Sequence, residues 1–358
     1  MLNDHDMKIL AIDLGKRSAT WCLYGSRSGS HRYGRVAMTR QAMHDLLVAE
    51  QPDRVVIEIG PTAGWVHDLS VTLDLPIQVA NTNREAWRWR NIKRKTDRRD
   101  ALKLAQMSAM NQIETVHVPS PEVRAWRSLI TYRRTLVKRR TQIKNNIRSI
   151  LDREGLSMPS GKSGWTKKSL GMLRSMASFD EASMWRFELG IELDLLVPLE
   201  KKIAEVERRL DEIAQRDHRV RLLRQAPAVG PRLAEAIVAV IDDPHRFTRG
   251  RDVGCYAGLT ARVYESGSMK REGRISGEGN AMLRSLLVEV AWLGVGRLKV
   301  PWMMEAYENV HRGVAKRKKI AIVAVARRLL IRCWAMLRDE APWREPTREE
   351  KPNLKLAA

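Results

Sequence analysis

Apolar residues recur along this chain at two spacings, and the change from one to the other divides it. Between residues 7 and 110 short alternating runs dominate. Lys8–Asp13, Ala19–Tyr24 and Arg32–Met38 read as three strands joined by short Gly/Ser turns. Arg40–Glu50 then has helical periodicity, Arg54–Ile59 is a fourth strand, Trp65–Leu73 a short helix and Pro76–Ala80 a fifth strand. Arg98–Ala109 reads as a helix, with Asp97 as its candidate N-cap.

Beyond residue 121 the spacing lengthens. Leu129, Leu136, Ile143, Ile147 and Ile150 keep near-heptad intervals within 122–153, with Lys and Arg between them. Leu196, Leu199, Ile203, Val206, Leu210 and Ile213 alternate steps of three and four, an a/d seam, and Pro198 marks a start or a kink there. The polar stretch Ser157–Lys168 between these runs leaves three readings open: an antiparallel hairpin, a dimerising coiled coil, or two ordinary amphipathic helices. Residues 220–340 form a third unit. Leu222–Pro231 followed by the helical run Arg232–Ile241 looks like a helix-hairpin-helix, whose Pro-x-Val-Gly turn ends at Gly230 and lets backbone N–H groups face a phosphate. A Gly/Ser/Arg-rich loop, Ser266–Asn280, precedes a helix at Ala281–Leu293, and Lys316–Leu337 is basic and helical.

The expected fold class is α/β plus all-α. The β-β-β-α-β-α-β-α order is that of a ribonuclease-H-like mixed sheet, assigned to 1–115. A long coiled-coil-like helical region follows over 116–219, then a mostly helical domain over 220–345 and a frayed tail over 346–358. Composition adds a partner. Lys and Arg number 64 against 42 Asp and Glu, a formal charge of +22, while 44% hydrophobic residues exclude a disordered chain. The surplus points to a polyanion, nucleic acid above all. The basic segments adjoin carboxylates and form no amphipathic anchor, so no membrane partner is expected. The start of the chain has no signal-peptide pattern, and a cytoplasmic location follows. Cys22, Cys255 and Cys333 are far apart, build no disulfide framework and are expected to pack as small hydrophobes.

Four acids carry the candidate chemistry. Asp13 and Glu58 close or nearly close two β-branched runs, and Asp97 and Asp100 share one helical face at i, i+3. Carboxylates so placed can converge on Mg²⁺ or Mn²⁺, and two such ions about 4 Å apart serve phosphodiester chemistry. Each acid alone is equally a surface charge or a cap; the joint arrangement is the specific signal. Asp13-Leu14-Gly15-Lys16-Arg17-Ser18 also resembles the first phosphate loop of actin-like sugar kinases, but no second such loop follows in mid-chain.

In the third unit the chain reads Tyr256-Ala257-Gly258-Leu259, then Ser276-Gly277-Glu278-Gly279-Asn280, then Leu283-Arg284. With Asp13-Leu14-Gly15, Glu58-x-Gly60 and Lys95-Thr96-Asp97-x-x-Asp100-Ala101, this resembles the insertion-sequence 110/1111 family of DEDD-type transposases, the bridge-RNA-guided recombinases. The resemblance implies that Asp13, Glu58, Asp97 and Asp100 bind Mg²⁺ in a RuvC-like domain. It implies that Ser276 is a nucleophile forming a transient phosphoserine, with Arg262, Arg274 and Arg284 as phosphate clamps and Asn280 beside them. Ser276 has another reading, as a loop or cap serine ahead of the next helix. The implied partners are donor and target DNA, a noncoding bridge RNA and further copies of the chain in a dimer or tetramer. Composite sites would draw on different subunits in a bacterial or archaeal, nucleoid-associated protein. Gly60–Gly64 and Gln225–Ala228 depart from the family's usual turns, and the insert near Ser157–Met176 has no counterpart.

Two surfaces are candidates for nucleic acid. Arg84–Lys103 is dense in cations, including Arg94 and Lys95, with Trp87 and Trp89 interleaved for stacking or for a core. The basic helix Arg124–Arg153 offers Arg133, Arg134, Arg139 and Arg140 to duplex phosphate or structured RNA. Two competing functions remain: a Holliday-junction-like nuclease using the four acids without a covalent intermediate, and a non-catalytic nucleic-acid-binding protein.

Overall fold

The five expected strands form one sheet, in which the apolar runs Ile9–Ile12, Ala19–Cys22 and Val55–Ile57 are buried on both faces. β1 (Lys8–Asp13) pairs antiparallel with β2 (Ser18–Gly25) and parallel with β4 (Arg54–Glu58). β3 (His31–Ala37) and β5 (Ile77–Ala80) complete the order β3-β2-β1-β4-β5. The computed structural model describes residues 6–81, 96–177, 183–266 and 269–345, with backbone alone for 263–272. The chain divides into two compact units, Met1–Pro121 and Glu122–Ala358.

In the first unit, Leu10, Ile12, Val55 and Ile57 bury one sheet face against α1 (Arg40–Glu50) and α2 (Ala63–Thr72). Ile9, Ala11, Val56 and Ala80 bury the other against Leu104 and Ala105 of α3 (Asp97–Ala109). Asp97 does not cap α3. Thr96 does, its Oγ1 accepting from the Arg99 N–H at 3.4 Å, and Asp97 is the first helical residue. Either residue type can cap; here Thr96 has the extended backbone, while Asp97 and Asp100 gain from the helix dipole in the first turn.

In the second unit, α4 (Pro121–Arg153) and α6 (Met184–Arg216) form an antiparallel hairpin. Their ion pairs fix the direction: Arg133 with Glu207, Lys144 with Glu200 at 2.7 Å, Arg153 with Glu188 at 2.5 Å, partner numbers falling as those of α4 rise. Such pairs are individually weak, so the apolar seam holds the hairpin. Pro198 neither starts nor ends α6, which begins at Met184 and runs through it. The cost of the proline, about 3 kcal/mol, is offset by burial of Leu189, Leu193, Leu196, Ile203 and Leu210 along the same helix. The polar insert closes the hairpin tip. α5 (Lys167–Met176) sets Leu173 among Ile147, Ile150, Leu151, Leu189 and Leu193, while Lys144 and Arg148 lie over the Trp165 ring.

The hairpin's other end merges into the largest core. Trp126, Ile130, Leu210 and Ala214 pack with α7 (His218–Leu223), α8 (Pro231–Ile241), α9 (Gly250–Tyr256), α10 (Ala281–Gly296), α11 (Pro301–His311) and α12 (Lys318–Arg338). α8 is buried from Leu233 to Ile241, so its C-terminal carbonyls have no water to turn to. Arginines supply the donors. Arg127 of α4 reaches the carbonyls of Ala239 and Val240, Arg246 that of Ile241 at 3.0 Å, and Arg219 that of Asp242 at 3.1 Å. The turn between α7 and α8 carries Ala228 at φ 67°, in the left-handed region, where glycine would be unstrained.

Part of the expected loop Ser266–Asn280 is a β-hairpin, β6 (Ala261–Ser266) with β7 (Met269–Ile275). Its glycines and charges masked a strand pattern carried by Val263, Tyr264 and Ile275. Cys22 and Cys333 are buried as expected, and burial pushes their thiols up to about 11 and about 12. Cys255 is exposed, contrary to expectation: it lies on the outer side of the short helix α9.

Glu235 is the one charged residue the fold buries among the described residues. Its Oε1 lies 3.2 Å from Arg232 Nη1 and its Oε2 is buried without a hydrogen bond. Burial raises its pKa from 4.5 to about 7, against the pull of Arg232. The folded state therefore holds this proton more tightly than the unfolded chain does. Its contribution to stability is full below 4.5 and is lost as pH rises through about 7. Urea denaturation at about pH 5 and about pH 8 is expected to show a smaller stability difference in Glu235→Gln than in the unaltered protein; an equal difference refutes the assignment.

Candidate functional site

Asp13 and Glu58 are the last residues of β1 and β4, one step beyond the paired Ile12 and Ile57. Strand alternation puts Asp13 in line with Ile9 and Ala11, and Glu58 with Val56, on the face that α3 covers. Arg54, at the start of β4, donates from Nη1 to the carbonyl of Ser108 at 3.2 Å and to its Oγ at 3.3 Å. The end of α3 is thereby fixed at the start of β4, where Ser108 Oγ also donates to Gln78 Oε1 of β5 at 2.8 Å. Near the helix start Arg98 lies over the ring of Tyr33 on β3, so α3 crosses the sheet. Asp97 and Asp100 stand in its first turn. Asp13, Glu58 and Asp100 are half-buried and Asp97 is exposed.

The fold places Asp13 and Glu58 at the ends of neighbouring strands, on the face that α3 covers, and Asp97 and Asp100 in the first turn of that helix. It does not close them around a point: among the described residues no three His, Cys, Asp or Glu side chains are placed to hold a metal ion. The donors themselves, carboxylate oxygens, are of the kind that Mg²⁺ and Mn²⁺ take.

Ser276 lies in the second unit, directly after β7. Its N–H donates to the carbonyl of Thr260 at 2.8 Å, and its own carbonyl accepts from Arg262 Nη2 at 2.9 Å. The hydroxyl makes no hydrogen bond among the described residues. Asn280 caps α10, its Oδ1 accepting from the Leu283 N–H at 2.9 Å. Arg284 Nη1 donates to the carbonyl of Ala257 at 3.0 Å and to that of Glu278 at 3.2 Å. The two loops touch backbone to backbone. A Cβ on Gly258 would overlap the Glu278 carbonyl, and one on Gly279 that of Tyr256; both glycines also have positive φ. Of the three expected phosphate clamps, Arg262 and Arg284 therefore hold main-chain carbonyls, while Arg274 is exposed at the end of β7. Sequence reasoning missed Thr260, whose carbonyl anchors Ser276; no spacing rule connects two residues that flank the ends of an unrecognised hairpin.

Two of the expected nucleic-acid contacts on α4 are committed elsewhere. Arg133 pairs with Glu207, and Arg134 donates to the carbonyl of Met282 at 2.9 Å and to Ser285 Oγ at 2.8 Å. A cationic helix pattern does not distinguish a phosphate partner from a neighbouring helix. Arg139 is exposed, Arg140 is half-buried, and Gly230 is exposed at the N-terminus of α8. Trp87, Trp89, Arg94 and Lys95 lie outside the described residues. Among the described residues no helix is long and apolar enough to cross a membrane.

Comparison with known proteins places this arrangement in a class. A profile described as a transposase, of the DEDD type of IS110, matches residues 10–155, and one described as the transposase IS116/IS110/IS902 family matches residues 220–308. The first covers all four acids and the second covers Ser276. The transposase for insertion sequence element IS1111A of Coxiella burnetii is 26% identical over 349 residues, 95% of this chain and 92% of the relative. A probable family 20 transposase of Pseudomonas aeruginosa is 29% identical over 70% of this chain and 74% of its own length. A pilin gene-inverting protein of Moraxella bovis is 29% identical over 128 residues, 36% of this chain and 39% of the relative. By these names the relatives are transposases and a gene-inverting protein. The chain belongs to the insertion-sequence 110/1111 family of transposases, and its substrate is DNA.

The placement of the α4 arginines predicts different behaviour for two of them. Arg139→Ala is expected to reduce the slope of log K against log salt for labelled duplex by about 1. Arg133→Ala is expected to lower the urea midpoint and leave that slope unchanged. Equal slopes for both variants would refute the distinction.

Proposed function

We propose that the chain is a recombinase that cuts and rejoins the DNA of an insertion sequence through Ser276. In this reading Asp13, Glu58, Asp97 and Asp100 hold Mg²⁺ or Mn²⁺ in a RuvC-like domain, residues 1–115. Residues 116–219 are the coiled-coil-like linker and 220–345 the serine-bearing domain. A noncoding bridge RNA selects donor and target DNA by base pairing, and the chain works as a dimer or tetramer. The observation that carries the reading is the serine loop. Its backbone is held by the Thr260 carbonyl on one side and by Arg284 on the other, while the Ser276 hydroxyl has no partner among the described residues.

The chemistry follows from that placement. The Ser276 oxygen attacks a DNA phosphorus; the Oγ–P bond forms as the bond to the leaving strand oxygen breaks. The hydroxyl proton passes to a base, and the leaving oxygen takes up a proton. The phosphoester is conserved, so a strand hydroxyl can attack phosphoserine and restore Ser276 without a nucleoside triphosphate. α10 begins just past the loop, and its N-terminal dipole favours the phosphate charge. A divalent ion held by the acids would neutralise phosphate charge and activate an oxygen. Asp13 and Glu58, on paired strands, would form the rigid half of that centre; Asp100 and Asp97 would approach from the first turn of α3.

A denaturing gel of the protein with labelled insertion-sequence DNA and its flanking noncoding RNA tests the proposal. Wild type is expected to form a covalent adduct, Ser276→Ala none while still binding DNA, and Asp13→Asn none while keeping its fold. Adducts from Ser276→Ala, or hydrolytic nicks with no adduct from wild type, would overturn the serine assignment.

A further inference from the structure

Arg284 sits where a phosphate clamp was expected, but its geometry serves another end. One nitrogen, Nη1, donates to two carbonyls from different segments: Ala257, in the turn after α9, and Glu278, in the serine loop. Those segments meet at Gly258 and Gly279, each facing the other segment's carbonyl with no room for a methyl group. On the loop's other side the Ser276 N–H bonds the Thr260 carbonyl, one rung beyond the Ala261–Ile275 pair of the β-hairpin. The segment from Ser276 to Asn280 is thus tied at both ends, by a strand rung at its start and by Arg284 near its end. Asn280 then turns it into α10, from which Arg284 itself projects.

The same helix turn is gripped from a second direction. Arg134 of α4 donates to the Met282 carbonyl and to Ser285 Oγ, on either side of Arg284 in sequence. The base from which Arg284 reaches is therefore braced by the helical hairpin.

We propose that Arg284 is a positioning residue that sets the serine loop and takes no part in gripping DNA. Its consequence for the reaction rests on Ser276 being the nucleophile; its consequence for the loop does not. A guanidinium carries several N–H donors in a fixed fork, which suits it to bridging two carbonyls. Losing it frees two carbonyls and the loop between them. A misplacement of about 1 Å at a reacting group costs on the order of 100-fold in rate.

The test is Arg284→Ala with two readouts. Hydrogen exchange of the amides from Ser276 to Leu283 is expected to speed up, with β6 and β7 unaffected. The rate of adduct formation at saturating DNA is expected to fall about 100-fold, with DNA affinity and its salt slope unchanged. Gly258→Ala, which disturbs the same contact without removing a charge, is expected to reproduce both effects and keeps the test open should Arg284→Ala fail to fold. Unchanged loop exchange, or a salt slope reduced by about 1 with a normal rate at saturation, overturns the proposal and makes Arg284 a phosphate contact. Faster loop exchange together with adducts that persist in Ser276→Ala leaves the latch standing and removes the nucleophile assignment instead.

Discussion

The hydrogen bond from an arginine side chain to a main-chain carbonyl recurs through both units of this protein, and the architecture rests on it. A helix leaves its last carbonyls without partners, and burial makes each of them costly. Arg54 serves the end of α3 in the first unit, and Arg127, Arg219 and Arg246 serve the end of α8 in the second. Arg262 and Arg284 do the same for the serine loop, and Arg134 for the turn of α10 beside it. Guanidinium suits this role because it is always charged, has several donors in one plane and is weakly hydrated for a cation. A share of the +22 charge is therefore structural, engaged with main-chain carbonyls at half-buried positions such as Arg127 and Arg219.

The two candidate sites use opposite strategies to hold polar groups in place. Two of the acids stand where strands stop and two where a helix starts: the parallel register of β1 and β4 brings Asp13 beside Glu58, and Asp97 and Asp100 follow the Thr96 cap of α3. Nothing further along the chain is needed to place those Cα atoms. Ser276 stands on a loop, and its position depends on contacts with residues remote in sequence, from Thr260 to Arg284. A sheet edge supplies rigidity through backbone pairing, whereas a loop must obtain it from side chains.

How far the sequence could be read follows the same division. Lys8–Asp13 and Arg40–Glu50 match the observed β1 and α1 end to end, because alternation and the helical period are local signals. The seam from Leu196 to Ile213 was legible; of the two readings of Pro198, a start or a kink, the start does not hold, since tertiary burial outweighed a local preference. Thr96 and Asp97 competed for one cap on equal chemical terms, and backbone geometry decided. The β6–β7 hairpin was obscured by its Gly, Ser and Arg content. Arg133 and Arg134 were visible as charges, but the partners that neutralise or accept from them lie 74 and more positions away. The four acids were legible by element, two at strand ends and two in the first turn of a helix; the positions of their oxygen atoms were not, because side-chain rotamers and ions leave no trace in spacing.

The hairpin of α4 and α6 joins a small core at its tip to the main core at its base. At 33 residues each, these helices are about 50 Å long. They form a lever arm: a tilt of about 5° at the base sweeps the tip through about 4 Å over that length. Arg134, about 20 Å along α4 from Pro121, holds the first turns of α10, the helix that follows the serine loop. The same tilt displaces the level of Arg134 by about 2 Å, so a swing of the arm is felt at the helix into which the serine loop leads.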